Sequence, residues 1–196
     1  MAVVTAPKRH PLRLVGLVAG GLVLVAALAA LVLFLWLRAY SPLDAAGSGG
    51  FAPGPGLGAD VEPVTGSGGK TVFIPAYRKN RPFDTAFTLH NAGRFAVTVT
   101  GLAEDRSRPE LQAAALLTSD SSTASADPAN VHPFHKLRLD PGDTAIVVVR
   151  WRLDCGAGSD AEVYSDAVPL RFRYLSTFTR TQSVRLPFAV TLRCRG

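Results

Sequence analysis

Six side chains are the first candidates for redox, metal or nucleophilic chemistry: Cys155, Cys194, His10, His90, His132 and His135. A Cys-x-x-Cys spacing is absent, and two thiols alone do not close a zinc shell. Both cysteines sit at the ends of strand-like runs, in phase with the apolar positions of those runs. A structural disulfide between Cys155 and Cys194 is therefore the expectation, in a compartment where thiols are oxidised. It would close a gap of 38 residues. That closure is worth roughly 4 kcal/mol in the chain-entropy view. His132-Pro133-Phe134-His135 has a spacing that could hold a metal on a turn. Two histidines without an adjacent thiol or carboxylate make a weak site, and two solvated loop residues are the plainer reading. The only methionine is Met1, which excludes a thioether copper site.

Motifs for catalysis are missing. There is no Gly-x-Ser-x-Gly elbow, no phosphate-cradling glycine loop, no His-Glu-x-x-His and no twelve-residue calcium loop. The expectation is a protein without enzymatic activity and without a cofactor. The alternative from another class is a metal-handling or enzymatic accessory domain centred on His132 and His135.

Charge is more informative. The chain of 196 residues carries a formal charge of +6, and from Arg38 onward 18 basic residues face 15 acidic ones, a balance of +3. That is too mild for a nucleic-acid partner. After Asp166, however, Arg171, Arg173, Arg180, Arg185, Arg193 and Arg195 occur with no acidic residue among them. Alternation projects Arg171, Arg173, Arg185 and Arg193 away from the apolar side. Paired strands would make these four a basic sheet face, fit for an acidic envelope protein or an anionic polymer. The blander reading is arginines that guard a sheet edge against aggregation.

The elements that must position these residues begin with Leu14 to Leu37, 24 uncharged and mostly apolar residues. As a helix they reach about 36 Å, enough to cross a hydrocarbon core of roughly 30 Å with some tilt. A cleaved signal peptide has a shorter apolar core and a small-x-small cleavage site. Leu37-Arg38-Ala39-Tyr40 is a poor one, so an uncleaved signal anchor is expected. Trp36 and Tyr40 stand where interfacial anchors belong. Lys8, Arg9 and Arg13 precede the run, Arg38 follows it, and the next basic residue is Lys70. Residues 1–13 should therefore remain in the cytoplasm and the rest lie outside a cell membrane crossed once. Gly16-x-x-x-Gly20 has the spacing of a close helix–helix contact, so a homodimer through Gly16 and Gly20 is a further possibility.

Residues 38–69 read as a tether, since positions 41–69 hold nine Gly and four Pro with little apolar pattern. From Lys70 to the end at 196 the pattern changes to short alternating runs between turn residues. Phe87 and Leu89 share one face, as do Phe95, Val97 and Val99, and Asn91-Ala92-Gly93 between them predicts a hairpin. Asp140-Pro141-Gly142-Asp143 predicts a turn before the long run of Ala145, Val147, Val149, Trp151 and Leu153. Val168 to Tyr174 and Val184 to Leu192 alternate strictly. Pro109 to Leu117 fits a short helix or a strand, and Thr118 to Asn130 reads as an exposed loop. The fold class expected is mainly β: one transmembrane helix, a flexible linker and an Ig-like antiparallel β-sandwich.

Phe87-Thr88-Leu89-His90-Asn91-Ala92-Gly93-Arg94 followed by Val97-Thr98-Val99, and Leu139-Asp140-Pro141-Gly142-Asp143 followed by Val147-Val148-Val149, carry a resemblance. Over about residues 70–194 the chain resembles bacterial extracytoplasmic Ig-like modules, including cell-adhesion-like and Hydin-like ones and small membrane-anchored actinobacterial proteins. Arg outnumbers Lys 17 to four and Ile occurs only at Ile74 and Ile146, in keeping with a GC-rich genome. The resemblance implies a fold and transfers no catalytic residue.

Overall fold

The computed structural model describes residues 11–46, 61–66, 69–75, 82–104, 111–119, 131–153 and 162–193. The chain divides into two compact units, Met1–Ser41 and Pro42–Gly196.

The first unit holds helix α1, Pro11–Ala39. Proline opens it, where its missing N–H is an orphan in any case. Of this helix, Gly20–Ala39 is long and apolar enough to cross a membrane. Its side chains from Leu22 to Trp36 are exposed, on every side of the helix. Arg38 lies in the last turn, where a cation complements the helix dipole. The Tyr40 N–H closes the helix on the Leu37 carbonyl at 3.2 Å, and the Trp36 and Tyr40 rings lie 5.9 Å apart.

The second unit is a β-sandwich. In chain order its strands are β1 (Leu43–Ala45), β2 (Val61–Thr65), β3 (Thr71–Pro75), β4 (Phe83–Asn91), β5 (Val97–Leu102) and β6 (Leu111–Ser119). There follow β7 (Val131–Pro133), β8 (Leu137–Leu139), β9 (Thr144–Leu153), β10 (Glu162–Tyr174) and β11 (Phe178–Arg193). One sheet runs β1-β4-β9-β6-β7, the other β2-β3-β11-β10-β5-β8. Pairing is antiparallel except between β11 and β3, which run parallel.

Alternation produces the core. Phe83, Thr85, Phe87 and Leu89 of β4 and Val147, Val149 and Trp151 of β9 are buried on one sheet. Val97 and Val99, Leu170, Phe172 and Tyr174, and Val184, Leu186 and Phe188 are buried on the other. Trp151 also brings a polar N–H into this core, and it donates to Thr85 Oγ1 at 2.8 Å. Thr85→Val keeps the shape and removes the acceptor, so it should cost about 1–2 kcal/mol for the stranded donor. A denaturation midpoint unchanged from the parent would refute that accounting.

Two expectations are corrected. First, Phe87 and Val97 do not belong to one hairpin. β4 pairs with β1 and β9, whereas β5 pairs with β10 and β8, so Asn91-Ala92-Gly93 carries the chain from one sheet to the other. Second, the sandwich does not begin at Lys70. Leu43–Ala45 pairs with Leu89–Asn91, and Val61–Thr65 pairs with Thr71–Pro75, so parts of the expected tether are sheet edge strands. A strand joins a sheet through main-chain hydrogen bonds, which Gly/Pro composition does not report. The helix contains the apolar run Leu14–Leu37 and continues to Pro11 and Ala39. The stretch left open as helix or strand is strand β6. The Pro141-Gly142 turn forms as expected: Gly142 takes φ +85°, and the Asp143 N–H reaches the Asp140 carbonyl at 3.0 Å. These are the marks of a type II turn.

Candidate basic face

β10 and β11 form a long hairpin whose register sets where the arginines lie. Phe172 and Tyr174 are buried, so the alternate residues Arg171 and Arg173 point outward and are exposed. Arg171 stands opposite Thr181 on β11 and Gly101 on β5, and Arg173 opposite Thr179 and Thr98. Arg185 is exposed on the same outer side, opposite Ala167. Its Cα is four residues along β11 from Thr181, about 13 Å at strand rise. Arg193 pairs with Glu162 at the far end of the hairpin. That is about 26 Å beyond Arg185. The structure therefore gathers Arg171, Arg173 and Arg185 on one face and leaves Arg193 apart, beside an acidic residue. None of the three forms an ion pair among the described residues. The acidic residue nearest in sequence, Asp166, sits in a break of the β10–β11 register and is held by Lys70 Nζ at 3.2 Å.

Position in the sheet matters as much as exposure. β11 and β10 are the third and fourth of six strands. Arg171 and Arg173 on β10 have paired strands on both sides, so they guard no edge, whereas Arg185 lies on a part of β11 that β3, paired only at Phe188–Val190, does not reach. Arg180 behaves differently from its neighbours. It pairs with Phe172, on the inward side, and its Nη1 is buried without an acceptor among the described residues.

The remaining candidates are less collected. Cys155 and Cys194 lie outside the described residues, and with them the proposed disulfide. His132 on β7 and His135 on the connection to β8 are both exposed. Among the described residues no three His, Cys, Asp or Glu side chains form a group able to hold a metal. Gly16 and Gly20 lie one turn apart in α1, and a Cβ on Gly20 would meet open space.

Sequence reasoning missed two polar arrangements. His90 Nδ1 is 2.8 Å from Asp44 Oδ1, a contact across the β1–β4 pair. Arg150 grips the buried Asp84 carboxylate with Nε and Nη2, each at 2.7 Å. Both partners were visible as alternating polar positions, but only register brings them together. The β10–β11 turn is a third surprise. Leu175 and Ser176 adopt φ of +47° and +62°, and Leu175 is 44% exposed. A left-handed conformation costs an ordinary residue about 1–2 kcal/mol, so glycine or asparagine is usual there.

These features define a two-sheet β-sandwich with one N-terminal apolar helix. No protein-family model matches the sequence, and no curated protein does. Among solved structures, the chain is similar to the CooA pilin subunit from enterotoxigenic Escherichia coli, at 12% identity and a TM-score of 0.29. That match covers 70% of this chain and 98% of the pilin subunit.

Proposed function

We propose that the protein is a single-pass, membrane-anchored binding or scaffolding module of the cell envelope, without catalytic activity, whose sandwich is displayed outside. Helix α1 supplies the span, and the basic residues Lys8, Arg9 and Arg13 before it favour a cytoplasmic N-terminus. The strand order supports an Ig-like reading. Strands β4-β9-β6 correspond to B-E-D of one Ig sheet, and β5-β10-β11 to C-F-G of the other.

The observation that carries a binding role is the exposed row of Arg171, Arg173 and Arg185 on one face of a sheet, without an ion pair among the described residues. Guanidinium groups in fixed array suit carboxylates or phosphates, and so an acidic envelope protein or an anionic polymer. The test is covalent cross-linking in intact cells with the tagged full-length chain and with the variant Arg171→Ser/Arg173→Ser/Arg185→Ser. One discrete product, present for the parent and absent for a variant that melts at the parental temperature, is the expected result. Equal products from both would remove the arginine face. No product from either would leave a plain structural anchor.

A further inference from the structure

We propose that the outer face of β10 and β11 binds a phosphodiester polymer without bases, a chain that carries one negative charge in each repeat of its own backbone. This rests on the binding-module reading above and chooses between the acidic protein and the anionic polymer that it leaves open.

Register lays out the track. Across the sheet, Thr98, Arg173 and Thr179 stand in one row, and Gly101, Arg171 and Thr181 in the next. Ser183 opposite Pro169 and Arg185 opposite Ala167 make two rows more. Successive rows are two residues apart, about 6.6 Å. A guanidinium or an exposed hydroxyl therefore recurs at every row. The track passes from Arg173 and Arg171 on β10 to Ser183 and Arg185 on β11, about 4.8 Å to the side. Gly101 takes φ +143°, which glycine adopts readily, and a Cβ there would meet no atom within 4 Å. Arg171 thus has open space on its β5 side. No acidic residue stands in these rows. At the margin, Arg138 opposite Thr98 is already held by Asp140, through Nε and Nη2.

Distance selects the ligand. A strand has three main-chain bonds per residue, hence six from row to row. A phosphodiester whose phosphates are joined through three carbons also has six bonds from one phosphorus to the next. Its extended repeat therefore matches the rows. A peptide suits the face less well. Laid over Arg171 and Arg173, it finds no main-chain partner, because β10 is already paired with β5 and β11 over Leu170–Tyr174. The rows also present only Arg, Thr, Ser, Gly, Ala and Pro, whereas protein interfaces are anchored by large apolar and aromatic groups. Bases would find no ring to stack on. What the face offers is guanidinium forks and hydroxyls in a wet, cationic track, which is the chemistry of phosphate recognition.

The test uses the full-length chain in nanodiscs of phosphatidylcholine, which carries no net charge. The probes are fluorescent poly(glycerol phosphate) and polyglutamate with the same number of charges. Poly(glycerol phosphate) should bind the more tightly. Its log affinity should fall with log salt at a slope of about −2, for three phosphates neutralised. Between about 50 and 200 mM salt that is roughly a twentyfold loss. Arg171→Ser/Arg173→Ser/Arg185→Ser, melting at the parental temperature, should abolish the binding. Arg171→Ser alone should flatten the slope by about 0.7, whereas Arg152→Ser, which takes a charge from the other sheet, should leave it as it is. Equal effects of these two single variants would mean attraction by net charge and overturn the proposal. Polyglutamate bound as tightly as poly(glycerol phosphate), and lost in the same triple variant, overturns the polymer and leaves the arginine face with an acidic protein as its partner. No binding of poly(glycerol phosphate) overturns the proposal in any case. Whether the face itself survives is then read from the arginine dependence of the cross-link in cells.

Discussion

Replacing Arg150 with alanine is expected to cost about 3 kcal/mol of folding stability, and replacing its partner Asp84 with alanine clearly less. The asymmetry comes from burial. The Asp84 side chain is 4% exposed whereas that of Arg150 is 42% exposed, and the two meet face to face across β4 and β9. Without Arg150 the carboxylate is stranded beneath the surface with neither countercharge nor water. Without Asp84 the guanidinium can swing out and be hydrated. The bidentate contact raises the Arg150 pKa, chiefly through the hydrogen bonds to Asp84, against the lowering effect of burial. A group whose folded pKa is raised lends stability that is complete below its unfolded pKa and is lost as pH rises through the folded one. For arginine that window lies in strong alkali, so Arg150 contributes no slope around neutrality. Urea denaturation of Arg150→Ala, Asp84→Ala and the double variant would check the argument. The double variant should recover part of the Arg150→Ala loss, since no orphan charge remains. An Asp84→Ala penalty equal to or above that of Arg150→Ala would sink it.

The same pair shows where legibility in the sequence ends. Alternation alone placed Val147, Val149 and Trp151 inside and Arg150 and Arg152 on the other side, because period two with one apolar side is a local property of a strand. The partner of Arg150 is 66 residues away, and nothing local announces it. The arginine face divides in the same way. Strand phase gives the outward direction of Arg171, Arg173 and Arg185. That Arg193 stands opposite the acidic Glu162 depends on register, which phase does not contain. Turn chemistry has a matching limit. Pro141-Gly142 specifies a type II turn wherever it occurs, and it forms. Asn91-Ala92-Gly93 specifies a change of direction, but not whether the next strand pairs with the last or crosses to the other sheet. That choice is made by the apolar faces of β4 and β5, each of which must be covered. For residues 43–45 composition misled, because a three-residue edge strand needs one buried side chain, Leu43, and main-chain pairing.

Asn91 is the residue on which two of the crossings between the sheets depend, β4 to β5 and β8 to β9, and Asn91→Ala should destabilise the sandwich by about 3 kcal/mol. Its side chain is fully buried. Nδ2 donates to the Phe95 carbonyl at 2.9 Å and to the Leu139 carbonyl at 3.0 Å, and Oδ1 accepts from the Gly93 N–H at 3.0 Å. Its main chain is equally engaged, donating to the Asp143 carbonyl and accepting from the Gly142 N–H. One residue therefore ties the β4-to-β5 connection to the β8-to-β9 turn. Truncation removes all three hydrogen bonds from this half-buried to buried cluster, and each loss costs about 1 kcal/mol. Asn91→Asp separates hydrogen bonding from shape. The carboxylate is isosteric but has only acceptors, and two of its neighbours are carbonyl oxygens. The fold then disfavours its ionised form, which raises the pKa of the introduced aspartate above its unfolded value of about 3.9. By linkage, the stability of this variant is retained below that value and falls as pH rises towards neutrality. Thermal unfolding of Asn91→Asp should therefore approach the parent near pH 4 and drop well below it at pH 7. A variant that tracks the parent at both would mean that Asn91 does not hold the two crossings as the geometry requires.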